Sequence, residues 1–161
     1  MGAAPSPGPS DELLDRAMAL ALDEAQLAFE ADEVPVGAAI FAPGGELLAQ
    51  AHNEILSRVD PTAHAECLAL RAAAKRVGAP RLPRGTLLVS TLEPCAMCAG
   101  AVVLARVDWL LFGALDPKTG ACGSLRDIVQ DPRLNHRCTV LPRRQEEHCA
   151  GLLTGFFRGK R

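Results

Sequence analysis

The chain has 161 residues, of which 48% are hydrophobic and 22% charged, and its formal net charge is −2. This balance predicts a folded domain and excludes a disordered or fibrous chain. No apolar run approaches the roughly 18 residues that cross a bilayer, so a membrane-spanning helix is excluded. Residues 1–9 are mostly small residues and proline without a basic start. We therefore expect a disordered leader over 1–9, a single domain over 10–161 and a cytoplasmic protein.

The net charge conceals a gradient along the chain. Residues 1–33 carry −7, residues 34–125 carry +1 and residues 126–161 carry +4. A basic C-terminal fifth is compatible with a polyanionic partner. On charge alone, a solvated helix face is the simpler interpretation.

Hydrophobic spacing predicts strands that alternate with helices. The predicted elements are a helix over 10–30, strands over 36–42 and 46–52, a helix over 62–77, a strand over 86–91, a helix over 94–104, strands over 109–112 and 139–141, and a helix over 145–157. Residues 53–61 and 114–124 are predicted to be loops, and Ser10 is predicted to cap the first helix. This order predicts the α/β class, with helices on both faces of the sheet.

Two short motifs each open a predicted helix. They are His64-Ala-Glu66 and Pro94-Cys95-Ala-Met-Cys98. Helix N-termini favour thiolates over thiols, and one imidazole with two thiolates suits zinc. Three protein ligands leave a fourth position open, as in catalytic zinc sites, so we predict one zinc ion held by His64, Cys95 and Cys98.

Glu66 lies two residues from His64, where a carboxylate can accept and deliver protons during hydrolysis. Cys67 is an alternative fourth ligand that would make the site purely structural. It lies in an apolar run, which favours a core position. The chain has no export signal, so reduced thiols are expected, and Cys122, Cys138 and Cys149 are interpreted as packing residues.

The combination of His-x-Glu and Pro-Cys-x-x-Cys is the known signature of zinc deaminases. Residues 33–37, 60–66, 91–101 and 112–125 also resemble the bacterial tRNA-specific adenosine deaminases of the cytidine deaminase superfamily. The similarity runs from about residue 11 to residue 158. It implies a three-layer α/β/α sandwich around a mostly five-stranded mixed sheet, one zinc per chain and a homodimer. It also implies hydrolysis of adenosine to inosine at the wobble position of a tRNA anticodon loop.

The resemblance also implies residues that bind the substrate. Asn53 matches an asparagine that holds the target purine, Asp116 matches an aspartate that contacts RNA, and Phe156 belongs to a helix beside the anticodon. Leu115 departs from relatives that carry a basic residue there. Val36 and Pro94 are predicted to form an apolar wall, and Lys118 is a basic residue of the predicted loop. The predicted substrate-binding residues are therefore Asn53, Val36, Pro94, Asp116, Lys118 and Phe156.

Two other functions remain open at this point. One is deamination of a free base or nucleoside such as guanine or cytosine, and the other is a zinc-stapled RNA-binding module without catalysis. Glu66 argues against the binding module, because a structural site needs no such carboxylate. Asp116, Lys118 and the basic C-terminus favour the tRNA substrate. Residues 102–104 are predicted either to form a dimer interface or to face the chain's own sheet.

Overall fold

In the computed structural model, residues 7–160 are described. Along the chain they form α1 (Asp11–Glu30), β1 (Gly37–Phe41), β2 (Leu47–His52), α2 (Ile55–Arg58), α3 (Ala65–Val77), β3 (Leu87–Leu92), α4 (Ala96–Leu104), β4 (Trp109–Ala114), β5 (Thr139–Val140) and α5 (Glu146–Arg158). Residues 1–6 of the predicted leader lie outside the described residues. Residues 7–9 are coil, and Gly8 lies so close to Trp109 that an added Cβ would be 3.2 Å from the ring.

The five strands form one mixed sheet in the order β2-β1-β3-β4-β5. β1 is antiparallel to both β2 and β3, whereas β3, β4 and β5 run parallel. One hydrophobic cluster lies between the sheet and α3 and α4, and a second lies between the sheet and α1 and α5. The predicted three-layer α/β/α sandwich with a five-stranded mixed sheet is therefore confirmed.

α1 packs closely against the start of β1. Its first turn is capped as predicted, because the Ser10 hydroxyl accepts a hydrogen bond from the Leu13 N–H at 3.1 Å. At the start of β1, a Cβ added to Gly37 would lie 2.0 Å from the Ala21 carbonyl oxygen. Only glycine permits this approach of the helix backbone to the strand.

Two helical details differ from the predictions, and a third decides between two predicted alternatives. α3 and α4 begin at Ala65 and Ala96, because His64 and Cys95 take extended N-cap conformations instead of helical ones. The short helix α2 falls within a segment predicted to be a loop. In α4, Val102 and Val103 are buried in the chain's own core, whereas Leu104 is 74% exposed. Within residues 7–160, no helix is both long and apolar enough to cross a membrane.

Several chain segments meet at one edge of the sheet. β2 ends at His52, β3 at Leu92 and β4 at Ala114, and the antiparallel β1 begins there. α3 and α4 also start at this edge, so their N-termini converge. The fold therefore brings both predicted metal motifs and the loops after β2 and β4 to the same place.

Candidate active site

His64, Cys95 and Cys98 come together where α3 and α4 begin. Their ligand atoms all lie within 4.8 Å of one another. His64 Nδ1 is 3.5 Å from the Sγ of Cys95 and 3.5 Å from the Sγ of Cys98. Tetrahedral zinc, with bonds of about 2.3 Å to sulfur and about 2.0 Å to nitrogen, would separate these atoms by about 3.5 Å. The geometry therefore fits a metal ion bound by all three residues.

The electrostatics of the two cysteines also fit a cation. Hydrogen bonds to Cys98 and His64 lower the pKa of Cys95 to about 4, which makes it a thiolate at neutral pH. Hydrogen bonds to Cys67 and Cys95, together with burial, raise the pKa of Cys98. A second thiolate beside the first is disfavoured by like charge, and a bound cation removes that penalty.

Cys67 lies beside this group without belonging to it. Its Sγ is 3.6 Å from the Sγ of Cys98, and the residue is buried. The cluster of mutually close ligand atoms consists of His64, Cys95 and Cys98, and Cys67 is not part of it. Within the described part of the chain the cluster thus offers three ligands, the number predicted for a catalytic zinc site.

Glu66 lies in the first turn of α3 and is only 4% exposed. Burial raises the pKa of its carboxyl. Among residues 7–160, its Oε1 is the one buried side-chain polar atom that has no hydrogen-bond partner. An unsatisfied buried acceptor is costly, so this oxygen suits a ligand or water that the chain itself does not supply.

A small pocket of about 190 Å³ opens onto these residues. Its apolar lining is Val34, Val36, Ile55, Ala65 and Leu92, and its polar lining is Asn53, His64, Glu66, Glu93, Cys95, Asp116 and Thr119. This volume is below the roughly 300–1,000 Å³ of typical pockets for drug-sized ligands. A volume of this size suits a single flat ring system better than a larger ligand.

The sequence matches known deaminases along most of its length. The MafB19-like deaminase family model matches residues 14–161. The tRNA-specific adenosine deaminase of Bacillus subtilis is 48% identical over 138 residues, which cover 86% of this chain and 84% of that protein. The chain belongs to the tRNA-specific adenosine deaminases.

Solved structures agree with this family. A structure from a study of A-to-I editing by tRNA:A34 deaminases at the wobble position has a TM-score of 0.82 and 41% identity, and the match covers 86% of this chain and 99% of that chain. Guanine deaminase from Bacillus subtilis has a TM-score of 0.60 and 28% identity, with coverage of 90% and 93%. The fold is shared by both enzymes, while the higher identity lies with the tRNA-specific adenosine deaminases.

Three of the predicted substrate-binding residues, Val36, Asn53 and Asp116, line the pocket. Asn53 is held by its neighbours: its Nδ2 donates to the Val34 carbonyl oxygen and its Oδ1 accepts from the Ile55 N–H, both at 3.3 Å. Its side chain is therefore fixed before a ligand arrives. Asn53 therefore presents its amide group in a fixed orientation at the wall of the pocket.

The other three predicted residues lie elsewhere. Pro94 is buried next to Cys95, and its carbonyl oxygen accepts from the Ala121 N–H at 2.8 Å. Lys118 lies outside the pocket, in a neighbouring cleft beside α5. Phe156 is 8% exposed, and its ring packs edge-on against Phe29 of α1 with centroids 5.8 Å apart.

The prediction for Phe156 therefore needs correction. The amphipathic α5 turns Phe156 onto α1 and turns the next residue, Phe157, outward. Phe157 is 51% exposed and lines the same cleft as Lys118. The sequence predicted a substrate contact through Phe156, whereas Phe157 is the more exposed of the two rings.

Sequence reasoning assigned no role to two buried glutamates, Glu33 and Glu93. Each is 2% exposed and accepts several hydrogen bonds from a segment next to the pocket, Glu33 from the first turn of α2 and Glu93 from the loop after β4. The available signal was an acidic residue within an otherwise apolar motif, at residues 33–37 and 91–95. A buried carboxylate in such a motif needs several donors around it.

Proposed function

We propose that this chain hydrolyses adenosine to inosine and ammonia at the wobble position of a tRNA anticodon loop. The observation that carries the proposal is the partnerless buried oxygen of Glu66 beside the His64, Cys95 and Cys98 cluster. Membership of the tRNA-specific adenosine deaminases supports this reaction over other hydrolyses.

We further propose that the metal is zinc, held by His64, Cys95 and Cys98. The imidazole and two thiolates form a ligand set that suits zinc over hard cations. When bound, zinc supplies Lewis-acid chemistry, which makes water a nucleophile near neutral pH and stabilises negative charge on oxygen. His64 must lose its proton to bind, although its hydrogen bond to Cys95 raises the pKa of the free imidazole.

Glu66 is proposed as the catalytic residue that moves the protons. Its carboxylate accepts a proton from the attacking water and delivers it to N1 of adenine. A second proton, from the hydroxyl formed at C6, passes through the same carboxylate to the departing amine, which leaves as ammonia. Burial suits this task, because it raises the pKa of the Glu66 carboxyl toward the pH at which it works.

Asn53 and the apolar wall are proposed to orient the base. The pocket admits one ring system, so the target nucleotide must be splayed out of its stack, which costs little in an anticodon loop. Asp116 at the rim is proposed to accept a hydrogen bond from a ribose hydroxyl, and Lys118 in the adjoining cleft to meet a phosphate.

A homodimer is also proposed. The segment after Asn53 exposes two apolar side chains next to the pocket, with Leu56 68% and Val59 90% exposed. Exposed apolar residues beside a functional site are typical of surfaces that another protein covers. Light scattering at micromolar concentration tests this: a mass near 17.0 kDa, that of one chain, would contradict it.

The proposed reaction is tested with a synthetic anticodon stem-loop RNA that carries adenosine at the wobble position. We expect inosine to form, as measured by mass spectrometry of the digested RNA. Glu66→Gln keeps the shape of the side chain and should keep the fold, yet lower kcat by about 100-fold or more. Free guanine is the competing substrate, and faster turnover of guanine than of the stem-loop would overturn the proposal.

A further inference from the structure

Glu93 is a buried carboxylate at which one loop converges. Glu93 follows β3 directly and lies two residues before Cys95. Its Oε1 accepts from the Asp116 N–H at 3.0 Å, and its Oε2 accepts from the N–H groups of Cys122 and Ser124 at 3.1 and 3.0 Å. The Ser124 hydroxyl donates a fourth hydrogen bond to Oε1. Four donors from residues 116–124, here called the rim loop, therefore meet on a single side chain.

The rim loop is folded tightly around this carboxylate. A Cβ added to Gly120 would lie 2.4 Å from the Glu93 carboxyl carbon and 2.5 Å from the Asp116 carbonyl oxygen. Such contacts leave no room for any side chain at position 120. Gly120 is also bridged to Cys95 in antiparallel fashion, so the loop lies directly against the metal-binding motif.

The same loop shapes the mouth of the pocket. Asp116 and Thr119 line it, and the Asp116 carboxylate accepts from the Lys118 and Thr119 N–H groups and from the Thr119 hydroxyl. Glu93 holds the backbone of Asp116, while this local turn holds its side chain. A carboxylate has about four lone-pair positions, so Asp116 keeps the capacity to accept one more hydrogen bond.

We propose that Glu93 is a positioning residue that fixes the rim loop and thereby sets recognition of the nucleotide's sugar, separately from proton transfer at Glu66. The proposal rests on the proposed function for its substrate. Glu66 lies on α3 and Glu93 follows β3, so the two glutamates act through different segments. Within the described residues, His64 and Glu66 make no hydrogen bond to the rim loop, so loss of Glu93 should loosen the pocket mouth while these two side chains keep their places.

Glu93→Gln tests this inference, because it replaces an acceptor oxygen with an NH2 group in a shell made of donors. At least one N–H of the rim loop then faces another donor, which should raise KM for the stem-loop about tenfold to a hundredfold. We expect kcat to change less than KM. Hydrogen exchange of the amides in residues 116–125 should accelerate, whereas the amides of α1 and β1 should exchange as in the unmodified protein.

Glu33→Gln is the matched control, since it neutralises a second glutamate that is also 2% exposed and accepts from Leu56 and Ser57. Glu33 makes no hydrogen bond to the rim loop, so exchange of residues 116–125 should stay unchanged in this variant. The preference for the stem-loop over its 2′-deoxy form at the target nucleotide should fall in Glu93→Gln and persist in Glu33→Gln.

Three outcomes separate the possibilities. If the rim loop of Glu93→Gln exchanges no faster than in the unmodified chain, the positioning role is overturned. If it exchanges faster but kcat falls as much as KM rises, Glu93 acts on the chemistry and the proposed separation is wrong. If the unmodified protein fails to deaminate the stem-loop, the proposed function falls, and the exchange data still decide whether Glu93 holds the loop.

Discussion

At the scale of single residues, position rather than chemistry separates a catalytic metal site from a structural one. Cys67 and Cys98 are both buried cysteines near His64, and their sulfurs are 3.6 Å apart. Cys98 belongs to the cluster of three mutually close ligand residues, whereas Cys67 does not. A third thiolate, bound as the fourth ligand, would close the coordination position that hydrolysis needs.

This difference predicts that only one of two cysteine substitutions lowers the zinc content. The unmodified protein should bind about one zinc per chain, Cys67→Ala should bind the same amount, and Cys98→Ala should lose most of it. Metal analysis by mass spectrometry after gel filtration measures all three. X-ray absorption showing three sulfur ligands, or loss of zinc in Cys67→Ala, would make the site structural and contradict the proposed chemistry.

At the scale of secondary-structure elements, α2 depends on a distant side chain. A helix of four residues has no stability of its own. The Glu33 carboxylate accepts from the Leu56 N–H at 2.8 Å and from the Ser57 N–H at 3.0 Å, which are free donors of the first turn. A negative charge at this end also complements the helix dipole. Glu33 thus holds the helix that carries Ile55 to the pocket.

The stability contributed by Glu33 should depend on pH. Burial alone would raise the pKa of Glu33, but hydrogen bonds from Ser57 and Leu56 and the charge of His52 outweigh it and lower the pKa below the usual 4.5. A lowered folded-state pKa gives stability that is present above the unfolded pKa and is lost as pH falls through the folded pKa. Glu33→Gln should therefore cost about 1–3 kcal/mol at pH 7, and less at pH values below 4.5.

Urea unfolding at neutral and acidic pH measures this difference. A cost for Glu33→Gln that stays constant from pH 7 to below 4.5 would show that the carboxylate charge does not hold α2. Ser57→Ala serves as the control, because it removes one donor and keeps the charge, so the pH dependence should persist with a smaller amplitude.

Sequence patterns predicted those parts of the fold that depend on near neighbours. The starts of α3 and α4 were placed within three residues, because His64 and Cys95 lie at recognisable transitions from loop to helix. α2 was missed, since its cap comes from a residue more than twenty positions away. The contacts of Glu93 were missed for the same reason, because its hydrogen-bond donors lie more than twenty residues further along the chain. The periodicity of α5 was visible, but which aromatic faced α1 depended on packing against Phe29.

At the scale of the whole molecule, charge is separated along the sequence and partly paired in the fold. Residues 1–33 carry −7, and most of them form α1. Part of the basic C-terminal charge is neutralised internally, because Arg144 pairs with Asp11 and Asp15 and Lys160 pairs with Asp32. Within residues 7–160, Lys118 and Arg158 form no ion pair, and both line the cleft beside Phe157. This cleft, which adjoins the rim loop, is the basic surface suited to a phosphate backbone.

Salt dependence of RNA binding tests whether this cleft meets phosphates. Each phosphate contact to single-stranded nucleic acid contributes about 0.7 to the slope of log affinity against log salt concentration. Lys118→Ala or Arg158→Ala should therefore reduce the slope for the anticodon stem-loop by about 0.7 each. Arg84→Ala is the control, because Arg84 is exposed before the start of β3, away from the sheet edge that carries the pocket. Fluorescence anisotropy between 50 and 200 mM salt, roughly the range over which such contacts are usually resolved, gives the slopes.

If Arg84→Ala lowers the slope as much as the cleft variants, binding follows overall charge and the cleft is not an RNA contact. If none of the three changes it, the substrate is held by the pocket alone, as expected for a free base.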